Sequence, residues 1–211
     1  MTFKSEAFVL KTKAFKDADR FYYLFTPHEG MVTAVLKSAA KSGSKLAGHL
    51  PVFAKVRVMI GRGKIDHLAG VELVEDFPNL RNDLKNLALA SSIAEIFLND
   101  FSFGQKQAEF KLLNEVLFLL NSESLESSAK LLLVRAFLWK FLALSGFSLP
   151  TFSISKTLLQ LIREILKQPL VEVLNFSLSK ELNKEWLQAS QVYYQEVYDR
   201  PSQALKLFVY G

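Results

Sequence analysis

The hydrophobic period of this 211-residue chain changes once, at Asp76-Phe77-Pro78-Asn79, and the change limits what each side can become. Alternation with period two builds half-buried strands, whereas recurrence at three and four residues builds one face of a helix. From Glu6 to Asp76 the chain is a series of short β-prone runs: Ala7 to Thr12, Phe21 to Thr26, Met31 to Leu36, Phe53 to Ile60 and Ile65 to Val74. Pro27-His28-Glu29-Gly30 predicts a hairpin, because proline presets one turn dihedral and glycine accepts positive φ. Gly61-Arg62-Gly63 predicts the turn between the last two runs.

Beyond Pro78 the spacing is helical. Leu84, Leu87, Ala88, Ser91, Ala94 and Leu98 fall on one helix face, and Gly104 closes that region. Further helices are predicted over Phe110 to Leu120, Ser127 to Ser145 with Gly146 as its stop, Lys156 to Lys167 before Pro169, and Glu181 to Tyr198. The expectation is an α+β chain of two domains: a five-stranded OB-type β-barrel over residues 1–77 and an α-helical bundle over residues 78–211. An SH3-like barrel fits the strand count as well. The short, aromatic link predicts that the two parts pack together.

Charge is distributed along the same division. Residues 1–64 hold twelve Lys or Arg against four acids, Glu6, Asp17, Asp19 and Glu29, while the remainder holds 14 basic and 17 acidic residues. A cationic barrel beside a mildly acidic helical part is the distribution of a polyanion binder. The connection after the third strand, Ser38-Ala39-Ala40-Lys41-Ser42-Gly43-Ser44-Lys45-Leu46-Ala47-Gly48, is small, flexible and lysine-bearing. Lys37, Lys41 and Lys45 on it could follow a phosphodiester backbone. Arg57, facing outward between Val56 and Val58, with Arg62 and Lys64 from the adjoining turn, extends the surface. Lys11, Lys13 and Arg20 complete the candidate DNA-binding set. Among Phe21, Tyr22, Tyr23, Phe25 and Phe53, most rings are expected in the core, but Tyr22 and Tyr23 point opposite ways, so one of them is a candidate platform for a base.

No enzyme constellation is present. The chain has no G-x-x-x-x-G-K-[ST] loop, no G-x-S-x-G elbow and no H-E-x-x-H pair, and Asp17 with Asp19 reads as a solvated turn. His28, His49 and His67 are isolated, and without cysteine neither a disulfide nor a thiolate metal site can form. No catalytic residue, metal or cofactor is therefore expected. Met1 to Glu6 lacks a secretory apolar core, and Leu131 to Leu144, broken by Arg135 and Lys140, falls short of the about 18 to 20 apolar residues of a membrane span. The expected location is cytoplasmic and nucleoid-associated, with no membrane contact. Arg135 and Lys140 lie beside Phe137, Trp139 and Phe141. They read either as clamps for an acidic, hydrophobic-ended peptide or as a snorkelling helix-surface pair.

The order of several pieces resembles the bacterial recombination mediator family RecO. They are Ala7-Phe8-Val9-Leu10, Asp17-Ala18-Asp19, Leu24-Phe25-Thr26 followed by Gly30, Lys37, Ser44-x-Leu46-x-Gly48-x-Leu50-x-x-Phe53, Gly61-Arg62-Gly63 and Glu72. Arg135-x-Phe137 leading to Leu144-Ser145-Gly146-Phe147 is similar to the family's central helix, and Arg200-Pro201 through Leu207-Phe208 to its C-terminal segment. The resemblance implies an OB domain, a helical domain, binding to single- and double-stranded DNA, and strand annealing. It also implies work with RecR and single-stranded-DNA-binding protein in loading a recombinase, with Arg135 holding the acidic C-terminal tail of the latter. Three departures stand out. The four-cysteine zinc module of many members is missing, Ser38 replaces the glycine after the loop lysine, and Gln203-Ala204-Leu205 replaces a basic stretch. The competing reading is an RNA-binding OB-fold adaptor. A small enzyme with an unrecognised site is a third.

Overall fold

In a computed structural model, residues 1–41, 44, 46–99, 106–147, 150 and 152–199 are described. Five strands, β1 (Thr2–Phe15), β2 (Asp19–Thr26), β3 (Gly30–Leu36), β4 (Lys55–Gly61) and β5 (His67–Glu75), close into a barrel in the order β1-β2-β3-β5-β4. The long β1 makes this possible. Its C-terminal half pairs with β2 and its N-terminal half with β4, both antiparallel, and one parallel bridge, Val35 to His67, completes the ring. That is the OB arrangement, with its partly open β3–β5 seam. Gly61 on β4 leaves room for the His67 ring opposite it: a Cβ there would lie 2.3 Å from that ring and displace it. Gly30 supplies the predicted positive φ (65°) of the β2–β3 hairpin.

Val9, Tyr22, Leu24, Val32, Ala34, Val56, Val58, Ile60 and Leu68 fill the barrel. A bulge between Val9 and Lys11 interrupts the alternation of β1, so Leu10 joins the core shared with the helices while Lys11 stays exposed. The outer face of β1 and β2 is thereby divided. One end, Phe8 and Phe25, is buried under the helical part, with the Phe8 ring tilted against Phe110 at 4.8 Å and the Phe25 ring tilted against Phe97 at 4.4 Å. The other end remains open.

The helices are α1 (Asn79–Asn82), α2 (Leu84–Asn99), α3 (Gln107–Leu120), α4 (Ser127–Leu144), α5 (Lys156–Lys167) and α6 (Lys180–Tyr198). Continuous burial from Leu133 to Trp139 makes α4 the central element, as expected of a helix apolar on all sides. Ser155 and Ser179 cap α5 and α6 by accepting hydrogen bonds from the N–H groups of Leu158 and Leu182. Gly146, at φ 87°, ends α4, and the following Phe147 N–H returns to the Leu142 carbonyl. On α2 the packed face is Leu89, Ile93, Ile96 and Phe97, whereas Leu84 is 83% exposed and Ser91 is exposed. The regular spacing of Leu84, Ser91 and Leu98 therefore marks the less buried side, because Leu89, Ile93 and Phe97 form a second, better-packed stripe. The 3-10 segment Leu170–Asn175 and the short α1 carry no clear periodicity and were not legible in advance. Gly104 and the stretch from Arg200 to Gly211 lie outside the described residues.

Candidate nucleic-acid interface

Strand register places the candidate cations in rows. On the open end of the outer face, Lys11 pairs across to Tyr23, which pairs to Thr33. Lys13 pairs to Phe21, which pairs to Val35. Cross-strand partners share a face, so both lysines stand beside aromatic rings. Lys11 and Lys13 are exposed, Phe21 and Tyr23 are half-buried, and the Phe15 ring lies tilted against Phe21 at 4.2 Å. Tyr22 points into the barrel, where burial raises its pKa against the lowering influence of Arg20. Tyr23 is thus the ring of the pair with an exposed edge.

The same end carries a second group. The Ser38 N–H donates to Asp19 Oδ1 at 2.8 Å, and the Ala40 N–H donates to the Ala18 carbonyl at 2.9 Å. The start of the loop is thereby fastened to the β1–β2 turn. Lys37 and Lys41 on it are exposed, as are Lys16 of the turn and Arg20 at the start of β2. Among the described residues, none of Lys11, Lys13, Lys16, Arg20, Lys37, Lys41 or Lys64 has a carboxylate within 4.0 Å. Lys45 lies outside the described residues.

Arg57 and Arg62 differ from this set. Arg57 projects outward as expected but is bonded to Glu72 at 2.5 Å across the β4–β5 ladder. Arg62 donates to Glu29 and to Asp66, both at 2.6 Å, and lies over the Phe3 ring. It ties the β2–β3 turn to the β4–β5 turn. Their charges are locally compensated, so the uncompensated field comes from the lysines and Arg20. Sequence spacing did not reveal this, because Glu72 and Asp66 lie in a strand and a turn whose register only the closed barrel fixes. Lys16, not among the residues singled out from the sequence, belongs to the uncompensated set.

In the helical part, α4 points Arg135 and Lys140 at different neighbours. Arg135 is 5% exposed. Its Nη1 donates to the Asn183 carbonyl at 3.1 Å and to Asn183 Oδ1 at 2.6 Å, and its guanidinium lies 5.2 Å from the Trp186 ring centre. Burial without a carboxylate partner among the described residues lowers its pKa from the usual guanidinium range to about 10. Its Nε and the neighbouring Trp186 Nε1 are buried donors with no acceptor. Lys140 donates to the Leu166 carbonyl at 3.3 Å, and burial lowers its pKa despite the opposing effect of Glu115. The two cations do not form one clamp.

An OB barrel with an uncompensated cationic, aromatic-bearing end, packed on a helical domain, defines a class of nucleic-acid-binding proteins. Sequence models of the N-terminal and C-terminal parts of Recombination protein O match residues 1–77 and 81–153. The DNA repair protein RecO of Dehalococcoides mccartyi strain BAV1 is 32% identical over 146 residues, covering 69% of this chain and 56% of that protein. That of Syntrophus aciditrophicus is 32% identical over 152 residues, covering 70% and 57%, and that of Symbiobacterium thermophilum 33% over 144 residues, covering 67% and 56%. The chain belongs to the RecO family of recombination and DNA repair proteins. It spans little more than half the length of these curated relatives. Among the described residues, no helix is long and apolar enough to cross a membrane.

Proposed function

We propose that this chain is a non-enzymatic, cytoplasmic mediator of DNA repair and recombination. Residues 1–77 grip single- and double-stranded DNA, and residues 78–211 receive protein partners. The observation that carries the reading is a set of exposed cations with no carboxylate within 4.0 Å among the described residues: Lys11 and Lys13 in register with half-buried Tyr23 and Phe21, Lys16 and Arg20 on either side of the β1–β2 turn, and Lys37 and Lys41 at the start of the loop after β3. Phosphates on two strands neutralised at such a surface repel each other less, which favours annealing without any covalent step. Lys64 adds to this field, Arg57 and Arg62 reach phosphate only by giving up Glu72, Glu29 and Asp66, and Lys45, outside the described residues, is proposed as a further contact from its sequence position.

The unmatched donors at Arg135 support a partner role for α4. A guanidinium beside an indole, held without a carboxylate, is suited to the acidic tail of single-stranded-DNA-binding protein. Such tethering would bring the mediator to occupied gaps, with RecR as co-partner in recombinase loading.

The test is fluorescence anisotropy of a labelled single-stranded oligonucleotide across a salt series, using wild type and a Lys11, Lys13, Lys37, Lys41→Ala variant. Wild type should bind at low salt, and the variant's log K against log[salt] slope should be shallower by up to ~0.7 per lost contact. Equal slopes would place the DNA surface elsewhere. A strong preference for RNA of equal length in competition would favour the adaptor reading.

A further inference from the structure

At the uncompensated end of the barrel a cavity of about 490 Å³ opens between the β1–β2 turn, the end of β3 and the start of β5. Its walls pair opposite chemistries. Phe15, Leu46 and Ile65 are apolar, and Ile65 is 51% exposed, unusual for an isoleucine with nothing to cover it. Lys16 and Lys37 line the same cavity, neither with a carboxylate partner among the described residues. Lys16 Nζ lies 5.3 Å from the Phe15 ring centre.

The rim is also held in costly backbone geometry. Lys16 and Ser38 adopt left-handed φ values of 49° and 54°, two of the four such non-glycine residues among those described. Asp19, also lining the cavity, spans them through its bond to the Ser38 N–H. Non-glycine residues persist in this conformation where surrounding structure enforces it, commonly at ligand sites. A fixed, concave, partly apolar site of this size with a few polar groups takes a small planar ligand.

Building on the DNA-binding reading, we propose that this cavity receives one unstacked nucleotide of a single strand, its base against Phe15 and Ile65 and its phosphate between Lys16 and Lys37. A duplex keeps its bases stacked and paired and cannot fill the site without breaking them, whereas a single strand can turn a base outward at little cost. The cavity therefore adds discrimination to a cationic surface that by itself attracts any polyanion.

The test uses the full chain and a single-stranded oligonucleotide carrying 5-iodouracil, cross-linked by ultraviolet light and mapped by mass spectrometry, with anisotropy in parallel. Cross-links should fall on the peptide containing Phe15. Phe15→Ala should weaken single-strand binding by about 5- to 100-fold, with the salt slope kept and duplex binding changed less than about twofold. Ile65→Ala, at an exposed position that the fold tolerates, should lower cross-link yield and single-strand affinity in the same direction. Cross-links confined to Tyr23 or to the helical part, with Phe15→Ala and Ile65→Ala binding as wild type, would overturn the cavity while leaving DNA binding intact. Equal loss on single strand and duplex would also overturn it. Failure of wild type to bind either DNA at low salt would overturn both readings together.

Discussion

The carboxylate of Asp19 accepts a 2.8 Å hydrogen bond from the backbone N–H of Ser38, joining the β1–β2 turn to the point where the chain leaves β3. Ser38 stands in the left-handed region at φ 54°, and Lys37 precedes it. An acid on a cationic surface should repel phosphate, so Asp19 acts in two opposed ways on DNA: as a charge it weakens binding, and as a strut it positions Lys37. Asp19→Ala separates them. Loss of the strut should lower stability by ~1 kcal/mol in urea titrations and weaken single-strand binding, although a negative charge has gone. An increase in affinity would mean that the strut is irrelevant to the interface.

Ser38→Gly addresses the same corner from the backbone side. A left-handed L-residue costs ~1–2 kcal/mol, and glycine loses ~0.5–1 kcal/mol of extra chain entropy on folding. The variant should therefore be more stable by ~0.5–1 kcal/mol, read as a higher urea midpoint with an unchanged m-value.

Glu72 holds Arg57 at 2.5 Å, and both side chains are more than half exposed, at 65% and 51%. Surface pairs of this kind contribute about 0–1 kcal/mol, so Glu72→Ala should leave the urea midpoint nearly unchanged. It should release Arg57 to phosphate, strengthening DNA binding at low salt by about 2- to 5-fold and steepening the salt slope. Arg57→Ala in the wild-type background should change the slope less than Lys37→Ala does, because only Lys37 lacks a carboxylate partner.

The two parts are joined by aromatic packing that a double-wavelength unfolding experiment can resolve. Phe97 is fully buried, 4.4 Å from Phe25 of the barrel and 4.7 Å from Phe141 of α4. Phe97→Ala should cost ~3–5 kcal/mol. Because Trp139 and Trp186 both lie in the helical part, tryptophan fluorescence follows that part alone. Wild type should unfold in one transition by fluorescence and far-ultraviolet circular dichroism, and the variant in two.

Periodicity made the five strands, the longer helices and their order legible, because alternation and three-to-four spacing are local consequences of burying one face. The bulge at Leu10 was not legible. It adds one residue to an alternating run, and only the pairing of Val9 with Leu24 and Lys11 with Tyr23 exposes it. For the same reason sequence could place Arg57 outward but could not find Glu72 opposite it. Lysine content indicated a cationic barrel, yet which lysines stay unpaired depends on contacts between residues such as Arg62 and Glu29, 33 positions apart. The close approach of the His67 ring to Gly61 likewise appears only when the two strands pair.

Arg135 offers a stability test with a defined sign. Burial lowers its pKa to about 10, below that of an exposed guanidinium, so the folded protein binds this proton less tightly than the unfolded chain does. The charged form therefore destabilises the fold at neutral pH, and the penalty is relieved as pH rises above about 10. Arg135→Met keeps the buried stem and removes the charge. The lost partner, Asn183, is exposed and can turn to water. Replacing a buried charge that lacks a counter-ion with an apolar group should stabilise by ~1–3 kcal/mol at pH 7, allowing for the lost contacts with Asn183 and Trp186. The advantage of the variant should shrink when wild type and Arg135→Met are compared above pH 10, a difference that cancels the titration of other lysines and tyrosines. If the arginine is kept for a carboxylate partner, the stabilised variant should fail to bind an acidic peptide by isothermal titration calorimetry while wild type binds it. A variant that is both less stable and equally able to bind would make Arg135 a structural residue of the α4–α6 contact.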